Sequence, residues 1–87
     1  MKTVIFLHHP ILNDTFAYFP LEKWDRMGNR KSFDLYEEWG ACAPAYAEEC
    51  ENAQRWQAQL LINKLSSEGL PIERLNILLK NDLIKSK

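Results

Sequence analysis

The sequence lacks most of the features that announce a function. Its formal net charge is −1, so no global field draws it to nucleic acid or to an anionic membrane. No apolar run approaches the roughly 18 residues a membrane helix needs. The opening Val4-Ile5-Phe6-Leu7 run is too short for a signal-peptide core and lacks a small-residue cleavage site. There are only two cysteines. Without a secretory signal they read as reduced thiols in a cytoplasm. With three glycines in all, neither cysteine has a Gly-rich loop beside it to hold an oxyanion. No repeat, low-complexity tract or linker divides the chain, and residues 1–87 are expected to form one small domain.

Apolar residues make up 46% of the chain, including four Phe, three Tyr and three Trp. That suits a folded globule rather than a disordered segment. A chain this short buries only about 60–65% of the surface its unfolded form exposes. Oligomerisation is therefore a reasonable supplement to its core.

The longest stretch with helical spacing is Pro44–Glu68. Stepping about 100° per residue from Tyr46 places Cys50, Ala53, Gln57, Leu60 and Leu61 on one face. Pro44 suits a first helical turn, and Gly69 suits the position just past the end. Around this helix the remaining elements follow in order. Thr3–His9 reads as a strand covered on both faces, because its apolar run does not alternate. Thr15–Phe19 reads as its hairpin partner, with Phe16 and Tyr18 on one face. Pro20–Met27 reads as a short helix closed by Gly28. Ser32 caps a helix from Phe33 to about Ala41, with a break expected near residues 41–43 before Pro44. Ile72–Lys85 has helical spacing, with a strand at Leu75–Leu79 as the alternative. The expected fold is α+β and mostly helical: an N-terminal strand or hairpin packed on a long central helix, plus a C-terminal helix.

No catalytic constellation stands out. His8, His9, Cys42 and Cys50 form a nominal two-histidine, two-cysteine set. The cysteines are eight apart, however, whereas structural zinc sites bring them two to four apart. Adjacent histidines on a strand also point to opposite faces. No metal, no cofactor and no enzymatic activity are expected.

The charges are segregated. Between Ser32 and Gln54 lie Asp34, Glu37, Glu38, Glu48, Glu49 and Glu51, with no Lys or Arg. Lys23, Arg26, Arg30 and Lys31 flank a basic turn. The expected function is a non-enzymatic protein-interaction module: a regulator, inhibitor or adaptor in the cytoplasm. It would bind a basic partner through an acidic helical surface carried by Glu37, Glu38, Glu48, Glu49 and Glu51. Ile77 and Ile84, seven apart, would form a second apolar helical stripe that meets a second chain, making a homodimer. The alternative is a nucleic-acid-binding regulator that uses Trp24, Arg26, Arg30 and Lys31 as a phosphate-contacting turn.

Overall fold

Successive side chains of an extended strand point to opposite faces. The Val4-Ile5-Phe6-Leu7 run therefore needs cover on both sides. The computed structural model, which describes residues 1–85 and side chains as far as Asp82, provides it by placing this strand centrally in a mixed sheet. Strand β1 (Lys2–His9) pairs antiparallel with β2 (Asp14–Lys23). Beyond β2 lie β3 (Arg30–Asp34) and β4 (Trp39–Cys42), both antiparallel. The other edge of β1 is shared by two short strands. β6 (Leu75–Leu78) runs parallel beside Lys2–Ile5, and β5 (Glu51–Asn52) runs antiparallel beside Leu7 and His8.

A layer covers each face of the sheet. Helix α2 (Arg55–Ser67) sets Leu61 and Leu65 on Val4, Phe6, Phe19 and Phe33. On the opposite face Ile5, Leu7, Phe16 and Tyr18 meet Cys42, Cys50 and Ala47, the last from helix α1 (Pro44–Glu49). A third helix, α3 (Lys80–Lys85), follows β6. Among the described residues, no helix is long and apolar enough to cross a membrane.

This architecture corrects the mostly helical expectation. About 40% of the chain is strand, and α2 is the single described helix longer than six residues. Pro44–Glu68 is not one helix. At ~1.5 Å per residue it would be about 37 Å long, whereas the molecule's largest extent is 28 Å. The chain instead leaves helical geometry at Cys50 (φ −84°, ψ 159°). Glu51 and Asn52 join β1, and the Ala53 amide donates to the Phe6 carbonyl at 2.9 Å. Helix α2 then restarts after Gln54, whose amide donates to Gln57 Oε1 at 2.9 Å. Open hydrogen-bonding groups on the edge of β1 thus replace the helical bonds this segment gives up. The two halves of the apolar stripe end on opposite faces of the sheet: Tyr46 and Cys50 on one, Gln57, Leu61 and Leu65 on the other.

The two shorter expected helices are hairpin pieces. Pro20 continues β2 and sits where the β2–β3 register shifts between Phe19 and Lys23. A bulge tolerates its missing N–H. Asp25 then closes the turn, its carboxylate accepting from the Met27 and Asn29 amides and from Asn29 Nδ2. Those bonds hold the Asp25 carboxyl below its usual range, the Asn29 side chain contributing most. Within Phe33–Ala41, Asp34 Oδ1 accepts the Tyr36 and Glu38 amides, and Glu37 takes a left-handed φ of 63°. Local side-chain bonds of this kind compete with helix. Ile72–Lys85 divides into a 3-10 turn at Ile72–Arg74, then β6 and α3. The parallel edge of β1 captures Leu75–Leu78, which overrides their helical spacing.

Helix α2 ends as its glycine indicates. Gly69 takes φ +87°, its amide donates to Ser66 O at 3.1 Å, and the Leu70 amide donates to Leu65 O at 2.9 Å. That is a complete Schellman closure.

Candidate functional site: a groove and two charged ends

The two helical layers are unequal. At ~1.5 Å per residue α2 spans about 20 Å and α1 about 9 Å. Helix α1 is therefore too short to cover its face of the sheet alone, and Cys42, Cys50 and Leu78 complete the cover of Ile5, Leu7, Phe16 and Tyr18. A groove of about 590 Å³ remains there, within the roughly 300–1,000 Å³ range of small-ligand sites. Its floor is Ile5, Leu7, Tyr18 and Pro20, with Leu21 at the rim. Arg30, Glu48 and Lys80 supply its charges.

Each polar group in the groove has a structural cause. Arg30 and Ser32 point to this face because Lys31 and Phe33 point to the other. Lys80 Nζ donates to the Glu48 and Cys50 carbonyls. A cation there also complements the negative end of α1. The Lys80 amide donates to Asn52 Oδ1 at 2.8 Å. Tyr18 is only 6% exposed. No buried side-chain oxygen or nitrogen among the described residues is left unsatisfied, so the Tyr18 hydroxyl is not a buried orphan; Arg30 makes no ion pair among the described residues. Burial, foremost, pushes the Tyr18 hydroxyl up, and the nearby Arg30 charge opposes that rise. The hydroxyl is thus a donor at neutral pH.

The acids and bases lie at opposite ends of the sheet. The register His9↔Asp14 and Phe16↔Asp34 puts the β1–β2 and β3–β4 turns at the same end. Glu37 and Glu38 occupy the second turn. Glu51 pairs opposite His8 and so belongs to that end too. Glu49 joins them, its Oε2 lying 3.7 Å from His9 Nε2. The β3 and β5 contributions are separated by three strand spacings, about 14 Å. Ile11, Leu12 and Tyr36 project from the same turns, 86%, 64% and 86% exposed. Glu48 is apart from this group, facing the groove. The five acids therefore do not share a helix, since they come from a turn, a short helix and a strand. Glu37 is also drawn toward Lys64, 3.7 Å away.

The basic turn is not one surface either. Strand β3 sends Arg30 to the groove and Lys31 to the α2 face. There the Lys31 ammonium sits 4.6 Å from the Trp39 ring centre and 3.8 Å from Glu22. Only Arg26 and the half-exposed Trp24 remain on the turn itself.

Ile77 and Ile84 do not form a helical stripe. Ile77 lies in β6 opposite Val4, and residue 84 falls in α3. The Ile84 side chain lies outside the described residues.

The histidines and cysteines do not converge. His8 faces α2, its Nδ1 2.7 Å from Thr15 Oγ1 and 3.4 Å from Gln57 Nε2. His9 lies on the opposite face, stacked on Tyr46 with ring centres 4.9 Å apart. Tyr46 in turn donates to Asp14 Oδ2 at 2.8 Å. Among the described residues, no group of three His, Cys, Asp or Glu is placed to hold a metal ion. Burial pushes the Cys42 thiol up to about 12 and the Cys50 thiol up to about 11. Protonated thiols are poor nucleophiles at neutral pH.

No family model, curated protein or solved structure matches this chain. Sequence reasoning missed the groove because it read α1 as the start of a long helix. The alternation that placed Phe16 and Tyr18 on one face was the available signal, since it set a tyrosine hydroxyl among apolar neighbours.

Proposed function

We propose that this domain is a non-enzymatic protein-binding module, acting as a regulator, inhibitor or adaptor. It docks a basic partner on the end of the sheet built by the β1–β2 and β3–β4 turns. The observation that carries this reading is the topology's grouping of Glu37, Glu38, Glu49 and Glu51 around the exposed tips Ile11, Leu12 and Tyr36. Apolar tips rimmed by one sign of charge suit protein recognition, with the acids steering encounter. The division of Arg30 and Lys31 between two faces weighs against the nucleic-acid reading, which needs them side by side. The two buried free thiols suit a reducing cytoplasm.

The test is binding to an immobilised array of Arg- and Lys-rich peptides across a salt series. Wild-type binding weakens as salt rises. The double substitution Glu49→Lys and Glu51→Lys reduces it at least tenfold, while Lys23→Glu with Arg26→Glu does not. Equal binding by all three proteins contradicts the proposal.

A further inference from the structure

Strand β4 is the last strand on its side of the sheet, and its outer edge is open among the described residues. We propose that this edge pairs antiparallel with the β4 of a second copy of this chain. Gly40 lies on the two-fold axis, and Trp39 of each copy lies opposite Ala41 of the other. The contact is at the opposite edge of the sheet from Ile77.

Backbone geometry fixes the register. The Asp34 amide donates to the Glu38 carbonyl at 3.1 Å, which makes residues 34 and 38 a hydrogen-bonded pair. Such pairs recur at every second residue of an antiparallel ladder. Gly40 and Cys42 therefore also turn their amides and carbonyls toward β3. Trp39 and Ala41 turn theirs outward, and among the described residues nothing meets them. The next outward residue, Ala43, has its carbonyl taken by the Ala47 amide. Pro44 has no N–H, and at the other end Glu37 bends the chain away at φ 63°. Two donors and two acceptors remain, and a second β4 satisfies all of them when Trp39 faces Ala41. A surface that meets itself in this way closes at two copies.

Gly40 is the second observation. A strand interior is unfavourable for glycine, and one there often marks the close approach of another backbone. Among the described residues nothing requires it: its φ is not left-handed, and a Cβ would meet no atom within 4 Å. On the axis Gly40 faces its own copy in a non-hydrogen-bonded pair, where Cα atoms close to about 4.5 Å. Trp39–Cys42 also carries no Lys, no Pro and no bulge, devices that protect free edges elsewhere.

Charge supplies the third. Glu38 and Cys42 share the α1 face by alternation, and Arg30, opposite Cys42, lies on that face too. The same register sets Glu38 of one copy opposite Cys42 of the other. Glu38 is then two strand spacings, about 10 Å, from that copy's Arg30, within reach of two long side chains. Neither Glu38 nor Arg30 makes an ion pair among the described residues.

Sedimentation velocity of the full chain from about 10 μM to about 1 mM, the range of weak association, tests this alongside amide exchange. The expected result is a rise with concentration from the 10.2 kDa chain mass to twice that value. Protection of the Trp39 and Ala41 amides rises in step. Ala41→Pro removes an N–H that faces away from β3, so the circular dichroism spectrum stays that of the folded protein. It weakens dimerisation about tenfold or more, since two hydrogen bonds are lost per dimer. Glu38→Arg and Arg30→Glu each weaken it about fivefold through two exposed pairs per dimer, and the double variant restores it. The charge pair decides the register independently of the proline variant. A monomer throughout the range overturns the proposal, as does a species that grows past two copies. A dimer that Ala41→Pro leaves intact also overturns it, as does a double variant no stronger than either single one.

Discussion

Leu60 and Leu61 are neighbours on α2, and a single long helix with its stripe centred on Tyr46 would bury both. In the sheet-packed structure they differ: Leu61 is fully buried, while Leu60 is 41% exposed. Leu61→Ala removes three carbons from contact with the sheet. At about 0.8 kcal/mol per carbon the transfer loss is ~2.4 kcal/mol. The cavity left beneath α2 raises the total to about 3–4 kcal/mol, in line with buried Leu→Ala changes elsewhere. Leu60→Ala leaves no enclosed cavity and loses only part of the transfer energy, about 1 kcal/mol. A domain of this length has ~4–13 kcal/mol of stability in all, so the first change removes a large share and the second little. Urea unfolding followed by circular dichroism measures both, with the slope unchanged if the unfolded surface is unchanged. Equal losses at the two positions would refute the packing described for α2.

Four further outcomes follow from individual residues. The thiols of Cys42 and Cys50, held up to about 12 and about 11 by burial, should react with a disulfide reagent at pH 8 only after denaturation. The same burial sets a pH dependence. Both states hold neutral thiols well below pH 9, so this contribution is fully present there. The unfolded chain ionises first above that, and stability falls between about pH 9 and about 12; a flat unfolding midpoint across that range would contradict it. Gly69→Ala meets no neighbour within 4 Å but must hold φ +87°, so it should cost about 1 kcal/mol in a urea melt. Tyr46→Phe removes the 2.8 Å bond to Asp14 and should cost ~1.5–3 kcal/mol by the same assay.

Legibility from sequence varied with how local the determining forces are. The unbroken Val4–Leu7 run indicates cover on both faces because strand geometry alone demands it. Gly69 marks the end of α2 because a left-handed closure needs a residue without a Cβ. The Tyr46-to-Leu61 spacing picked out Cys50, Gln57 and Leu61 as buried but also the exposed Leu60, and it could not show that Cys50 to Asn52 cross the sheet edge. That crossing depends on the unpaired edge of β1, some forty residues earlier. Leu75–Leu78 was drawn out of helix by the same edge. Pro20 and Ser32 misled for a local reason: each suits a helix start, yet Pro20 sits at a bulge and Ser32 in β3. Among the candidate site residues, topology groups Glu37, Glu38, Glu49 and Glu51 at one end and sets Glu48 apart. Arg30 was visible as a charge, but its place in the groove of the α1 face, apart from Lys31, was not.

The chain changes faces at Cys50–Asn52, which puts α1 and α2 on opposite sides of the sheet. Nuclear Overhauser contacts across this segment test it directly. The expected result is cross-strand contacts from Glu51 and Asn52 to His8 and Leu7, with the Ala53 amide protected from exchange by Phe6. An unbroken series of sequential amide–amide contacts from Ala45 to Ser67 would restore the single helix and contradict the account.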